Sequence, residues 1–584
     1  MNVVNHSVIE NLHHRILGHL QIIYPDLNHE PLLRDLLAAA GLEREQDVKC
    51  PTPHTNLWDQ QTVLAITYGD SIQSENVAHL HTLHGFLNKY LKDVFSGVHI
   101  LPFFPWSSDD GFSVIDYLQV NQGMGEWEDI EKISADFPLM ADLVINHCSA
   151  RSRWFENYKK CLAPGKDYFI DVEPDVDISA VVRPRTSPLL QEVDTLNGKR
   201  HVWCTFSHDQ VDLNFRNPEV LLEFVRIIRF YLERGVKMFR LDAVAFLWKE
   251  PGGSCIHLPQ THEVVRLLRT LIEHRDPKAI LLSETNVPNR ENLSYFGNAN
   301  EAHIVYNFSL PPLLLHALVS GDANYLKTWM MSMPPAQHGT TYLSFIASHD
   351  GIGLRPVEGL LSEKEVNEVA GLMQRFGARV SWRALENGEN RPYEINISFY
   401  DAMRGTLHGG EDGFQFARFI CAHTIMLALE GIPAIYIHSL FGTENDYQRL
   451  EHTGRNRAIN RHQWQLQELE DKLASPYTHH GKVFQALTRL INVRRAQPAF
   501  HPNATQYTLH LGSQLFAFWR QSSDRRQSIF CINNVSDQPQ LLPLARVNLI
   551  ELDTWRDLIS GDRIEDLQSE VMLKPYQSLW LSNV

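Results

Sequence analysis

From Thr62 onward the chain alternates short apolar runs with longer amphipathic stretches, the pattern of parallel strands joined by helices. Eight runs are compact enough to be buried strands: 63–68, 98–103, 140–146, 236–242, 280–284, 303–306, 342–348 and 434–438. Between several of them apolar positions recur at helical spacing, over 219–234, 261–274 and 414–429. Eight such units predict an α/β fold, a (β/α)8 TIM barrel. The connections after the third and seventh runs are about 60 residues each before the next helix, and loops of that length are usually functional. They read as inserted subdomains.

Helical spacing also marks 8–24 and 31–41, so 1–60 reads as a helical N-terminal extension without evident chemistry. After a last barrel helix near 481–495, strict alternation takes over in 515–519, 528–532 and 578–581, which predicts a small β-sandwich-like domain over 497–584. The barrel then comprises 61–148 and 211–496, interrupted by 149–210 after the third strand and 351–412 after the seventh.

Composition narrows the partners. A chain of 584 residues with 43% hydrophobic and 21% charged residues can bury a large core. Its net charge of -16 repels nucleic acid and anionic membrane surfaces, so an anionic ligand must be captured by a local Arg or Lys cluster. Cys50, Cys148, Cys161, Cys204, Cys255, Cys421 and Cys531 show no CxxC spacing, which fits neither zinc nor a disulfide framework and points to a reducing cytoplasm. The N-terminus lacks the basic-then-apolar pattern of a signal peptide, and no apolar stretch reaches the roughly 18 residues of a bilayer span.

In such a barrel catalytic groups stand at the C-terminal ends of strands. Four strand endings carry chemistry: ADLVINH with Asp142 and His147, FRLDA with Arg240 and Asp242, LLSETN with Glu284, and FIASHDGIG with His349 and Asp350. Each alone has a plain alternative, since a carboxylate after a strand can cap a helix or pair with an Arg. Together they would converge on one cavity.

At these residues the chain resembles the α-amylase superfamily, family thirteen of the glycoside hydrolases, whose four motifs occur in order as DLVINH, FRLDAV, ETN and ASHD. The resemblance implies Asp242 as nucleophile, Glu284 as acid/base and Asp350 as stabiliser of the transition state. A retaining displacement needs one carboxylate to attack and one carboxylic acid to donate. Arg240, on the same strand face as Asp242, is expected to hold it ionised, and Glu284 must have a raised pKa. The resemblance further implies that Asp70 in TYGD and Arg461 in AINRH bind the far hydroxyls of a glucosyl unit, with His147 and His349 on the near ones. Phe206 resembles the aromatic platform of the donor site, and Gln210 a polar neighbour. Asn146 stands where some members bind calcium, but no supporting Asp cluster accompanies it, so neither metal nor cofactor is expected.

Beyond the triad, LPFFPWSSDDGFSVIDY, FSHDQVDLNF, WKEPGGSCIHLP and FSLPPLLLHAL are similar to the sucrose phosphorylase subfamily. That implies a glucoside and inorganic phosphate as small-molecule partners, with the enzyme a monomer or homodimer. Arg183 and Arg185, stiffened by Pro184, offer guanidinium forks for phosphate, unless RPR is a solvated loop. Tyr393 looks like the subfamily's phosphate-contacting tyrosine. Tyr117, Asn286 and Glu394 depart from the sucrose phosphorylase pattern on the acceptor side, and the WSSDDGFSVIDY, ETNVP and PYEIN segments look closest to the glucosylglycerate phosphorylases. A glycerate carboxylate needs a cation, for which Arg383 beside Trp382 is the candidate. Alternatives are a glucosylglycerol, sucrose or sucrose 6-phosphate phosphorylase, a plain α-glucosidase, and a non-catalytic barrel scaffold.

Overall fold

A computed structural model describes residues 8–384, 390–551 and 553–583; the first seven residues of the expected extension, 385–389 beside Arg383, and 552 and 584 in the tail lie outside them. Eight parallel strands close a barrel: β1 (Leu64–Thr67), β2 (Gly97–Ile100), β3 (Leu139–Val144), β4 (Val236–Asp242), β5 (Ile280–Ser283), β6 (Ile304–Tyr306), β7 (Thr341–Ser344) and β8 (Ile432–Tyr436). Each pairs with its neighbours in sequence, and β1 closes the ring against β8. Every residue of β1, β2, β3, β5, β7 and β8 is buried, as expected where helices cover a sheet whose other face fills the barrel.

Three strand ends differ from the apolar runs. β3 stops at Val144, and His147–Ser149 pairs instead with Gln210–Asp212 in an antiparallel ribbon. β7 stops at Ser344 although Phe345 and Ile346 are apolar; the Phe345 ring packs on Tyr306 and Phe308 rather than extending the ladder. β8 begins at Ile432, and Ile437 already starts a single helical turn. Apolar character reports burial, whereas pairing depends on a neighbour.

Helices begin where the chain supplies caps. In α3 (Pro218–Glu233) the Asn217 side chain accepts from Glu219 N and Pro218 fills the first turn; α4 (Pro259–Arg275) likewise opens on proline. Two N-terminal helices, α1 (Val8–Ile23) and α2 (His29–Ala40), cover this side of the barrel. Arg15 of α1 donates to Thr270 at 3.0 Å, His19 lies 2.6 Å from Glu263, and Arg229 of α3 donates to the Ala38 carbonyl at 3.2 Å. Gly41 ends α2 with φ of 69°, a left-handed residue that closes the helix.

The connection after β3 carries the ribbon and a sheet of Asp171–Val172, Gly198–Trp203 and Leu190–Thr195; that after β7 carries a sheet of Ile352–Gly353, Asn390–Asn396 and Arg379–Ala384. In the tail a sheet of six antiparallel strands has three that alternate: Phe516, Phe518, Ile529, Cys531 and Trp580 join the barrel's core, while Ala517, Phe530, Ile532, Leu579 and Leu581 face Leu542 and Leu573 of a two-stranded sheet. All seven cysteines are free, and among the described residues no helix is long and apolar enough to cross a membrane.

Candidate active site

Asp242, at the last position of β4, and Glu284, immediately after β5, lie on either side of one guanidinium. Arg240 Nη1 donates to Asp242 at 2.9 Å, and Nη2 stands 3.9 Å from Glu284. Arg240 is itself fixed by Asp142 of β3, which His99 of β2 holds at 2.6 Å, and by the Phe112 and Tyr306 rings, each 5.6 Å from the guanidinium carbon. Ala243 takes a left-handed conformation (φ 51°), uncommon for a residue with a Cβ, and its N–H donates to Glu284 at 3.0 Å.

Burial raises Asp242 well above the carboxylate range; Arg240 opposes this, while Glu284, Asp142 and Asp350 add to it. Arg240, expected to hold Asp242 ionised, is the charge that works in that direction, against burial and three neighbouring carboxylates. Burial likewise raises Glu284. Two such neighbours titrate as a pair and hold a proton between them. Because Arg240 bonds Asp242 directly and only approaches Glu284, the geometry favours that proton on Glu284. Burial would raise Asp350 too, but Arg457 at 2.5 Å, with Arg461 and Arg240 further off, brings it below its ordinary value.

The three carboxylates line one cavity. His147, His349, Phe206 and Gln210 line it. The His349 ring stacks on Phe112 at 5.0 Å, and burial, with the Arg240 and Arg461 charges, keeps it neutral. His147 Nε2 and Gln210 Nε2 both reach the Phe112 carbonyl at 3.0 Å. Arg461 stands one layer behind the wall, donating to Asp110 at 2.6 Å and to the His349 carbonyl at 2.9 Å. Asp70 is also behind it, accepting from Gln463 at 2.5 Å. Tyr117 is not at the cavity: its hydroxyl donates to the Val144 and His147 carbonyls, bracing the chain that carries His147.

The wall also includes Arg185, Asn286, Arg355, Tyr393 and Arg457. The Arg185 guanidinium lies 5.7 Å over the Tyr393 ring, whereas Arg183 is not on the wall. Asn286 packs so closely on Gly353 that a Cβ there would meet its amide at 2.6 Å. Glu394 is not on the wall and accepts from Arg457 at 2.7 and 3.1 Å. Arg383 does not reach the cavity: Glu358, between the first strand of the same small sheet and Arg379–Ala384, captures its guanidinium. Sequence reasoning passed over Arg457, Arg355, Asp109 and Phe246; Arg457 could have been suspected, since it lies four residues before Arg461 in the same RNRAINRH segment.

Asn146 is held by Lys249, whose ammonium donates to its Oδ1 at 2.6 Å and pairs with Asp212 at 2.7 Å. This contact ties the loop after β4 to the ribbon after β3.

The chain is similar to known proteins over most of its length. Residues 67–353 match the alpha amylase catalytic domain. A glucosylglycerate phosphorylase of Escherichia coli (strain K12) is 44% identical over 90% of this chain and 92% of its own length. One from Allomeiothermus silvanus is 40% identical over 98% and 99%. A crystal structure of a sucrose 6F-phosphate phosphorylase from Thermoanaerobacter thermosaccharolyticum superposes with a TM-score of 0.71 at 26% identity, covering 88% of this chain and 98% of that one.

Proposed function

The chain belongs to the alpha-amylase family, and from that membership we propose that it is a retaining glycoside phosphorylase that converts 2-O-α-glucosylglycerate and phosphate reversibly to α-glucose 1-phosphate and glycerate. The observation that carries this is one cavity lined by Asp242, Glu284 and Asp350 and also by Arg185, a cation that makes no ion pair with a carboxylate among the described residues. The triad serves any retaining glucosidase, and the unpaired guanidinium adds a place for an anion. The relatives named for glucosylglycerate support glycerate as the acceptor. Free thiols fit a reducing cytoplasm.

In the forward direction an Asp242 oxygen attacks the anomeric carbon as the bond to the glycerate oxygen breaks, and that oxygen takes the Glu284 proton. A β-glucosyl ester on Asp242 results. Glu284, now ionised, removes a proton from phosphate, whose oxygen attacks the same carbon and releases Asp242, so the second inversion restores the α configuration. Asp350 faces the charge that develops on the sugar ring. Arg240 compensates Asp242 as it leaves, and His147, His349, Phe206 and Gln210 hold the glucosyl unit, with Arg461 bracing the His349 carbonyl from behind the wall.

An acceptor screen tests the proposal: glucose 1-phosphate is supplied with glycerate, glycerol, fructose or fructose 6-phosphate, and phosphate release is measured. Glycerate is expected to give the fastest release. Equal release with every acceptor and with none marks a hydrolase and overturns it.

A further inference from the structure

Arg355 has no part in the chemistry above, yet it lines the cavity beside Arg185, Asn286 and Tyr393. Its backbone is held in place: Leu354 N donates to the Tyr393 carbonyl at 3.0 Å, Glu358 N donates to the Arg355 carbonyl at 3.0 Å, and Pro356 restricts the turn Arg355–Val357. The guanidinium Nε is buried and has no hydrogen-bond partner among the described residues. The neighbouring arginines differ, because Glu358 holds Arg383, Glu363 holds Arg391, and Asp350 and Glu394 hold Arg457. Among the described residues no carboxylate pairs with Arg355 or with Arg185. A buried cationic donor left unbonded is unfavourable, and an anion entering the cavity supplies the missing acceptor.

We propose that Arg355 and Arg185 form a two-guanidinium clamp for the acceptor anion, taking the carboxylate of glycerate in one direction and phosphate in the other. This rests on the glucosylglycerate phosphorylase activity proposed above and assigns its specificity to Arg355 rather than to Arg383. A planar fork matches both anions, and the two arginines approach from different connections, Arg185 from the one after β3 and Arg355 from the one after β7. Glycerol carries no anion and draws nothing from the clamp.

The test uses α-glucosyl fluoride as donor, so that no phosphate enters with the sugar, and measures transfer to glycerate, phosphate and glycerol by wild type, Arg355→Gln and Arg355→Lys. Loss of one charge-assisted contact is expected to raise KM for glycerate and for phosphate about tenfold or more relative to KM for glycerol, with partial recovery in Arg355→Lys. Ratios within about twofold of wild type, in a variant that melts like wild type, overturn the clamp. Should the wild type take glycerate no better than glycerol, the glycerate activity falls and the phosphate ratio alone decides Arg355. If Arg355→Gln does not fold, Arg355→Met carries the same comparison.

Discussion

Asp242 and Glu284 are buried as a pair under the single guanidinium of Arg240, and burial raises both. A carboxyl whose folded pKa lies above its unfolded one binds its proton more tightly in the fold. Its stabilising contribution is therefore complete at low pH and is lost as pH rises through the folded value. Glu284→Gln removes that titration. It is expected to melt about a degree or two above wild type at pH 8, with the gap closing towards about pH 4, near the ordinary Glu range. Melting curves at both pH values check this, and a gap that widens on acidification contradicts it. The burial that makes the ionised form costly keeps Glu284 protonated and able to donate to the leaving oxygen, so the same variant loses turnover on unactivated glycosides. Asp242→Ala is expected to abolish turnover with every donor, and near-wild-type rates would remove it as nucleophile. These residues were legible because each ends an apolar strand run. Arg355 and Arg457 sit on irregular turns with no period to mark them, and Arg383 misled because Glu358, 25 residues upstream, takes its charge.

Between elements, Lys249 does what no single strand or helix can. It lies beyond β4 yet bonds Asn146 after β3 and pairs with Asp212 of the ribbon, at side-chain exposures of 1% and 0%. Asp212 also accepts from the backbone and hydroxyl of Thr205 at 2.9 and 2.6 Å, so it cannot turn to solvent when its cation is lost. Lys249→Met, which keeps the stem, should cost about 3–5 kcal/mol. It should also weaken glucosyl binding, because His147 and Gln210 are carried on the two strands of that ribbon. A thermal midpoint equal to wild type would show the pair to be dispensable. The barrel strands announced themselves through buried runs, whereas the short antiparallel sheets of both long connections did not. Their strands are as brief as His147–Ser149 and Ile352–Gly353, and these two pair with residues more than about 40 positions away.

For the whole molecule, the question left by the sequence is why α1 and α2 are present, since none of the residues lining the cavity belongs to them. Their apolar faces answer it: Leu12, Ile16 and Leu20 of α1, and Leu32, Leu33, Leu36 and Leu37 of α2, are all buried. The helical spacing was plain in the sequence, but the surface it covers is set by α3 and α4, more than 170 residues away. Deleting 1–42 would uncover those helices along a patch larger than the few hundred Å² (roughly) that a soluble monomer tolerates. Each buried leucine or isoleucine so lost is worth about 1.5–3 kcal/mol. The truncated chain is therefore expected to associate or aggregate, seen by size exclusion and light scattering. Any fraction that stays folded should keep its preference among acceptors, because the cavity wall is intact. A truncated chain that is monodisperse and melts like the full one would show that these helices are not part of the barrel's core.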